Sequence, residues 1–273
     1  MKKITIYLLL LLSLPGCEKK TNRTYGGAAG NLVIVDAIIT DELKNQTVTL
    51  TFPVAALNEI PKPVSGASIL ISDEDSTFDF TEQPAGSGIY RSNNKFLARL
   101  GLHYTLLIFY HDQVLSAKAD MAPGIIPSPL NYSKDEESAL FHLDWVASSF
   151  STQPPVMWEI LLDWSAVPGY ELQDSTKTHA RLLFYTLSTL DVSEIFAARV
   201  ESISFPAGTL ITERSYSLTP DYAGFIRQVL LETQWQGGLF NSLRANVTTN
   251  LSTGAAGFFA VSAVNTLSLT VGK

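Results

Sequence analysis

The sequence predicts a mostly all-β protein of two tandem β-sandwich domains, the second with one inserted α-helix. Three observations predict it. Short apolar runs of period two are spaced by turn signals, a proline-rich break falls in mid-chain, and one stretch of helical periodicity lies between capping residues. The 273 residues are 46% hydrophobic and 16% charged, which excludes a mainly disordered chain. A single Cys excludes a disulfide framework and a Cys-based structural zinc site. The formal charge of −7 repels phosphate and no local basic stripe offsets it, so no nucleic-acid partner is expected.

The first elements set an address. Met1-Lys2-Lys3 is a basic n-region, and Ile4 to Leu14 is an apolar run. As a helix that run spans only about 16 Å, too short for a hydrocarbon core of about 30 Å, so residues 1–16 read as a signal peptide. Leu14-Pro15-Gly16-Cys17 follows, with the chain's one Cys at the cleavage position. The motif resembles the lipobox of bacterial lipoproteins, apart from Pro15 where a small residue is usual. The resemblance implies lipidation of Cys17. Residues 17–31 are then the lipidated Cys and a flexible tether, because Thr21 to Gly30 is small, polar and Gly-rich.

From Leu32 to residue 121 the pattern is that of an N-terminal β-sandwich. Val48, Leu50 and Phe52 share one strand face, as do Ala67, Ile69 and Ile71, and Phe78 and Phe80. Leu32-Val-Ile-Val35 and Tyr104 to Tyr110 are more continuously apolar, as buried central strands are. About seven strands fit, with turn signals roughly every 10 residues. Residues 122–131 form a linker, since Pro123, Pro127 and Pro129 suit neither a helix interior nor a central strand.

Residues 132–273 predict the C-terminal sandwich. Val156, Trp158, Ile160, Leu162 and Trp164 alternate onto one face, with Glu159, Asp163 and Ser165 on the other, so a half-buried strand with both tryptophans inward is expected. A helix is predicted near 220–236. Thr219 can cap it, Pro220 suits its first position, Asp221 suits its positive end, and Gly237-Gly238 can stop it. Tyr222, Phe225, Ile226, Val229 and Leu230 form its apolar stripe, expected to pack across the second sandwich.

Chemistry is sparse. The chain has no G-x-S-x-G, H-E-x-x-H or P-loop motif. Ser92-Asn-Asn-Lys95 has the spacing of an S-x-x-K nucleophile, but it follows a strand, where those two residues do not share a helical face. His103, His111, His142 and His179 are scattered. Asp73 and Asp75 are candidate calcium ligands in an acidic turn, although the pattern suits better a solvated hairpin turn whose Asp and Ser bond their own backbone. Trp235 is the weak candidate for a ligand-facing aromatic. No catalytic residue, metal site or cofactor is expected, and the protein is expected not to be an enzyme.

Three segments, Leu32 to Asp41, Pro63 to Asp73 and Gly88 to Ser92, together with Asn246 to Val264, resemble an uncharacterised domain-of-unknown-function family of Gram-negative lipoproteins. Its members are typically found beside TonB-dependent receptors. Pro63-Val-Ser-Gly66 is also similar to transthyretin-like modules, and Leu161 to Tyr170 to the first core strand of fibronectin type III domains. These resemblances imply Ig-like or transthyretin-like sandwiches. They also imply a lipid-anchored place at the outer membrane, exposed at the cell surface, as a binding component accessory to a TonB-dependent nutrient receptor. The alternative is a stand-alone carbohydrate-binding or adhesin-type module. The ligand stays open on either reading.

Overall fold

Strand β14 (Ala255–Ser262), from the far end of the chain, lies parallel to and between the first strand and the seventh. That placement overturns the expectation of two tandem sandwiches. The computed structural model describes residues 32–54, 59–127, 130–190, 203–234 and 247–272. Its first seven strands are β1 (Val33–Thr40), β2 (Thr47–Thr51), β3 (Ser68–Ser72), β4 (Thr77–Glu82), β5 (Ile89–Ser92), β6 (His103–Tyr110) and β7 (Gln113–Ala122). With β14 they close into an eight-stranded barrel of order β1-β14-β7-β6-β3-β4-β5-β2.

The period-two residues fill the barrel. Val35, Ile39, Leu50, Ile71, Leu106 and Ile108 point inward and are almost wholly buried, and Phe259 and Val261 of β14 join the same core. A sandwich would leave edge strands to protect, whereas closure removes them. Gly257 permits the closure. Its φ is +99°, and a Cβ there would lie 2.0 Å from the carbonyl oxygen of Val35 on the neighbouring strand. Only glycine lets β1 and β14 approach so closely.

Only Ala263 separates β14 from β15 (Val264–Thr270), which joins a different sheet. That sheet has four strands in the order β11-β10-β13-β15, with β10 (Val156–Asp163), β11 (His179–Thr186) and β13 (Leu210–Ser217). A three-stranded sheet, β12-β9-β8, is built from β8 (Asn131–Lys134), β9 (Leu140–Trp145) and β12 (Phe205–Pro206). The two small sheets share a core around Trp158, Ile160, Leu162, Trp164 and Phe205. Both tryptophans on the alternating run are therefore inward, and Trp158 Nε1 donates to Thr186 Oγ1 at 2.9 Å.

Helix α1 (Pro220–Glu232) starts where its signals lie, with Thr219 Oγ1 accepting from the Tyr222 N–H and Pro220 in the first turn. It does not pack across a second sandwich. Tyr222, Ala223, Ile226 and Leu230 wedge between the open face of the four-stranded sheet and the outer wall of the barrel, against Met157, Tyr216 and Phe258. The Tyr222 and Phe258 rings are stacked 4.9 Å apart. Gly237-Gly238 lie outside the described residues. Among the described residues no helix is long and apolar enough to cross a membrane.

Candidate functional site

The β10 face opposite the tryptophans was expected to meet solvent. Only its far half does, at Asp163; Met157 and Glu159 are buried, Glu159 to 6% exposure. Register places Leu183 of β11 and Arg214 of β13 on either side of Glu159. Arg181 Nε donates to Glu159 Oε1 at 2.6 Å, while the Tyr216 hydroxyl and Arg214 Nη1 donate to Oε2 at 2.9 and 3.3 Å. Arg214 then leaves the sheet, and its Nη2 reaches Glu42 Oε2 at 2.6 Å, just beyond β1 of the barrel. Lys44 Nζ and Thr40 Oγ1 donate to the same oxygen at 2.6 and 3.1 Å. The guanidinium carbon of Arg214 also sits 5.1 Å from the Tyr216 ring centroid, a cation–π distance.

These contacts decide the charge states. Burial alone would raise the Glu159 carboxyl, but hydrogen bonds from Arg181 and Tyr216 and the two guanidinium charges outweigh it and hold it below the usual range. Glu42 is lowered in the same way, burial being overcome by Lys44 and Arg214. Both carboxylates are anions at neutral pH, Glu159 held through both oxygens and Glu42 through Oε2, which takes three donors. The cluster is a joint between barrel and sheet.

Beside it the same sheet face opens into a groove of about 440 Å³, walled by Leu161, Leu210, Thr212 and the stem of Arg181. His179 Nε2 and Asp163 Oδ1 pair at 3.3 Å along one side. Ser165 donates to Asp163 through its N–H and its hydroxyl, and these bonds chiefly lower that carboxyl. The groove offers apolar wall and a polar edge where His179 meets Asp163, the makings of a binding surface.

A model of the family described as domain of unknown function (DUF4249) matches residues 23–268. The chain belongs to the DUF4249 family. No curated protein matches it. The DUF4249 match runs across barrel, helix and both small sheets, in keeping with the unbroken run of chain from β14 of the barrel into β15 of the four-stranded sheet.

The side chains singled out in the DUF4249 sequence fall apart in space. Cys17 and Trp235 lie outside the described residues. Asp73 Oδ1 accepts the N–H groups of Asp75 and Ser76 at 2.9 and 2.7 Å, closing its own turn. Among the described residues no group of three His, Cys, Asp or Glu could hold a metal ion. Ser92 is buried, with Oγ donating to the Asn94 carbonyl and accepting from the Gln46 N–H, and so serves the barrel. The histidines separate: His103 bonds Asp120, His142 bonds Asp135 and Asp144, His179 bonds Asp163, and His111 lies against the Tyr110 ring. The Glu159 cluster was missed because its partners come from strands far apart in sequence. The one available signal was an acid flanked on both sides by large apolar residues, in Met157-Trp158-Glu159-Ile160-Leu161.

Proposed function

We propose that this protein is a lipid-anchored, non-enzymatic binding component of the outer membrane, working as an accessory to a TonB-dependent receptor. The observation that carries the reading is Cys17, the only Cys, placed directly after an apolar run too short to span a bilayer. A lipid on Cys17 would hold the chain at the bilayer through the segment that enters the barrel at Val33. The joint lies past the opposite end of β1, beyond Thr40, so the four-stranded sheet and its groove would be carried on the far side of the barrel. Recognition surfaces usually occupy such rigidly held sites. The resemblance to lipoproteins found beside TonB-dependent receptors supports the partner.

Metabolic labelling with palmitate, followed by fractionation of wild type and Cys17→Ser, tests the anchor. Label on the wild type alone, with Cys17→Ser released from membranes, is expected. An unlabelled protein, or a Cys17→Ser form still sedimenting with membranes, overturns it. Affinity purification from detergent-solubilised outer membranes tests the partner, and recovery of no TonB-dependent receptor removes it.

A further inference from the structure

Among the described residues the outer edge of β15 has no strand beside it, and the geometry points to a second copy of this chain as its occupant, paired antiparallel about Leu267. Among the described residues β15 pairs with one strand only, β13, in unbroken register from Leu210–Thr270 to Tyr216–Val264. The Ser217 N–H bonds the Ala263 carbonyl at 3.0 Å and the Val271 N–H bonds the Thr209 carbonyl at 2.9 Å. Odd-numbered residues of β15 therefore turn their backbone groups toward β13. By the alternation of an antiparallel ladder, even-numbered residues turn theirs outward. Val264 N–H is the first of these and is taken by Asp41 Oδ1 at 2.8 Å. The N–H and C=O groups of Thr266, Ser268 and Thr270 have no backbone partner among the described residues.

Natural sheets guard such edges with Lys, Pro, bulges or a covering element. β15 reads VNTLSLT, with no charge, no Pro and no register shift, and Thr266, Leu267 and Ser268 at its centre are exposed. Leu267, on the side of the strand facing the core between the two small sheets, is 42% exposed.

A two-fold axis through Leu267 satisfies the three central residues at once and leaves the Val264 N–H with Asp41. It sets Thr266 opposite Ser268 of the second copy, both with outward backbone groups, so each such pair exchanges two hydrogen bonds. Leu267 meets its own counterpart in the closer, non-hydrogen-bonded kind of pair, which covers both leucines. Every other opposing pair is uncharged, so no like charges meet. The Asp41 end of the edge adjoins a pocket of about 360 Å³ that includes Val264, Asn265, Leu100 and Ile126, and the last two are 59% and 92% exposed. The axis brings the Thr270 end of the second copy to that pocket, adding apolar contact to the ladder. The product is one continuous eight-stranded sheet, and the contact is isologous, as a closed dimer requires.

The test uses the full mature chain carrying Cys17→Ser. Sedimentation equilibrium is expected to give twice the chain mass. Adding Leu267→Cys, then the only thiol, is expected to give an interchain disulfide under mild oxidation, because opposed residues of a non-hydrogen-bonded pair lie within disulfide reach. Val114→Cys, on the barrel wall and 58% exposed, is expected to stay unlinked. Thr266→Lys with Ser268→Lys sets Lys against Lys at two pairs and is expected to weaken the dimer about tenfold, with circular dichroism unchanged. A monomer at all concentrations overturns the proposal. So does a dimer that ignores the two lysines and leaves Cys at 267 unlinked, or a monomer that instead takes an extended peptide of another protein along β15.

Discussion

Glu42 and Arg214, 172 residues apart in sequence, meet at 2.6 Å across the boundary between the barrel and the four-stranded sheet. The same guanidinium holds Glu159, so one side chain ties a barrel loop to the centre of the sheet. The continuous run through β14 and β15 makes a second, covalent tie. The two bodies are therefore fixed to each other by backbone and by charge, and the groove beside Arg181 keeps its orientation relative to the barrel.

Glu159 is the most exposed to loss of these ties. Glu159→Ala would leave the Tyr216 hydroxyl and one arm of Arg214 buried without an acceptor, and breaking a buried pair from one side typically costs about 3–5 kcal/mol. Because Arg214 retains Glu42, the lower end, about 3 kcal/mol, is expected from urea denaturation at pH 7. The sign of the pH dependence follows from the lowered carboxyl. Its stabilisation is complete above the ordinary glutamate value and is lost as pH falls through the folded one. Glu159→Gln should flatten that acid limb. A variant as stable as wild type at pH 7 would show that the joint carries no net stability.

Glu213 has the opposite sign. It lies on the other face of β13, 2% exposed, with Oε1 lacking a hydrogen-bond partner, and burial pushes its carboxyl up to about 7. Between the ordinary value of 4.5 and about 7 the folded chain keeps a proton that the unfolded chain releases, so stability falls as pH rises through that window. At about 1.4 kcal/mol per unit the loss is on the order of 3 kcal/mol. Glu213→Gln should match wild type near pH 4.5 and exceed it by up to about 3 kcal/mol at pH 8, read as the difference between their denaturation curves. Parallel curves across that range would place the Glu213 carboxyl in a solvated site.

Much of this fold was legible locally. The alternation at Val48 to Phe52 found β2, and Thr219-Pro220-Asp221 found the start of α1, because strand faces and helix caps depend on residues a few positions apart. Partnership was not legible. Period two says that Phe259 and Val261 share a face but not that the face closes a barrel begun over 200 residues earlier. A hint existed in Gly257-Phe-Phe-Ala-Val-Ser262, apolar on both faces, as a strand covered on both sides must be. The Glu159 cluster was hidden for the same reason, since an acid's burial is set by what surrounds it and here those groups, Arg181, Arg214 and Tyr216, come from other strands.

Two glycines separate backbone need from habit. Gly257→Ala would add a Cβ 2.0 Å from a backbone oxygen at a φ of +99°, so the β1–β14 ladder must part, at a cost of roughly 3 kcal/mol or more. Gly224, inside α1, has nothing within 4 Å of such a Cβ. Gly224→Ala should raise stability by about 0.5–1 kcal/mol, the usual helical preference. Thermal melts of the two variants should move in opposite directions. A harmless Gly257→Ala would contradict the close approach of the strands.

The barrel's dependence on its last strand predicts the behaviour of a fragment. A chain of residues 32–122 contains seven of the eight barrel strands but lacks β14, so β1 and β7 each lose a neighbour and the core loses Phe259 and Val261. Two open, largely apolar edges on a small core invite association with other chains in place of a unique fold. The fragment is expected to show weak near-ultraviolet circular dichroism, no cooperative melt and a tendency to aggregate. Adding residues 247–273 as a separate peptide should restore part of the signal, because β14 enters by pairing with β1 and β7 and needs no preceding chain to do so. If residues 32–122 melted cooperatively by themselves, the N-terminal half would be an independent unit and β14 an addition to it.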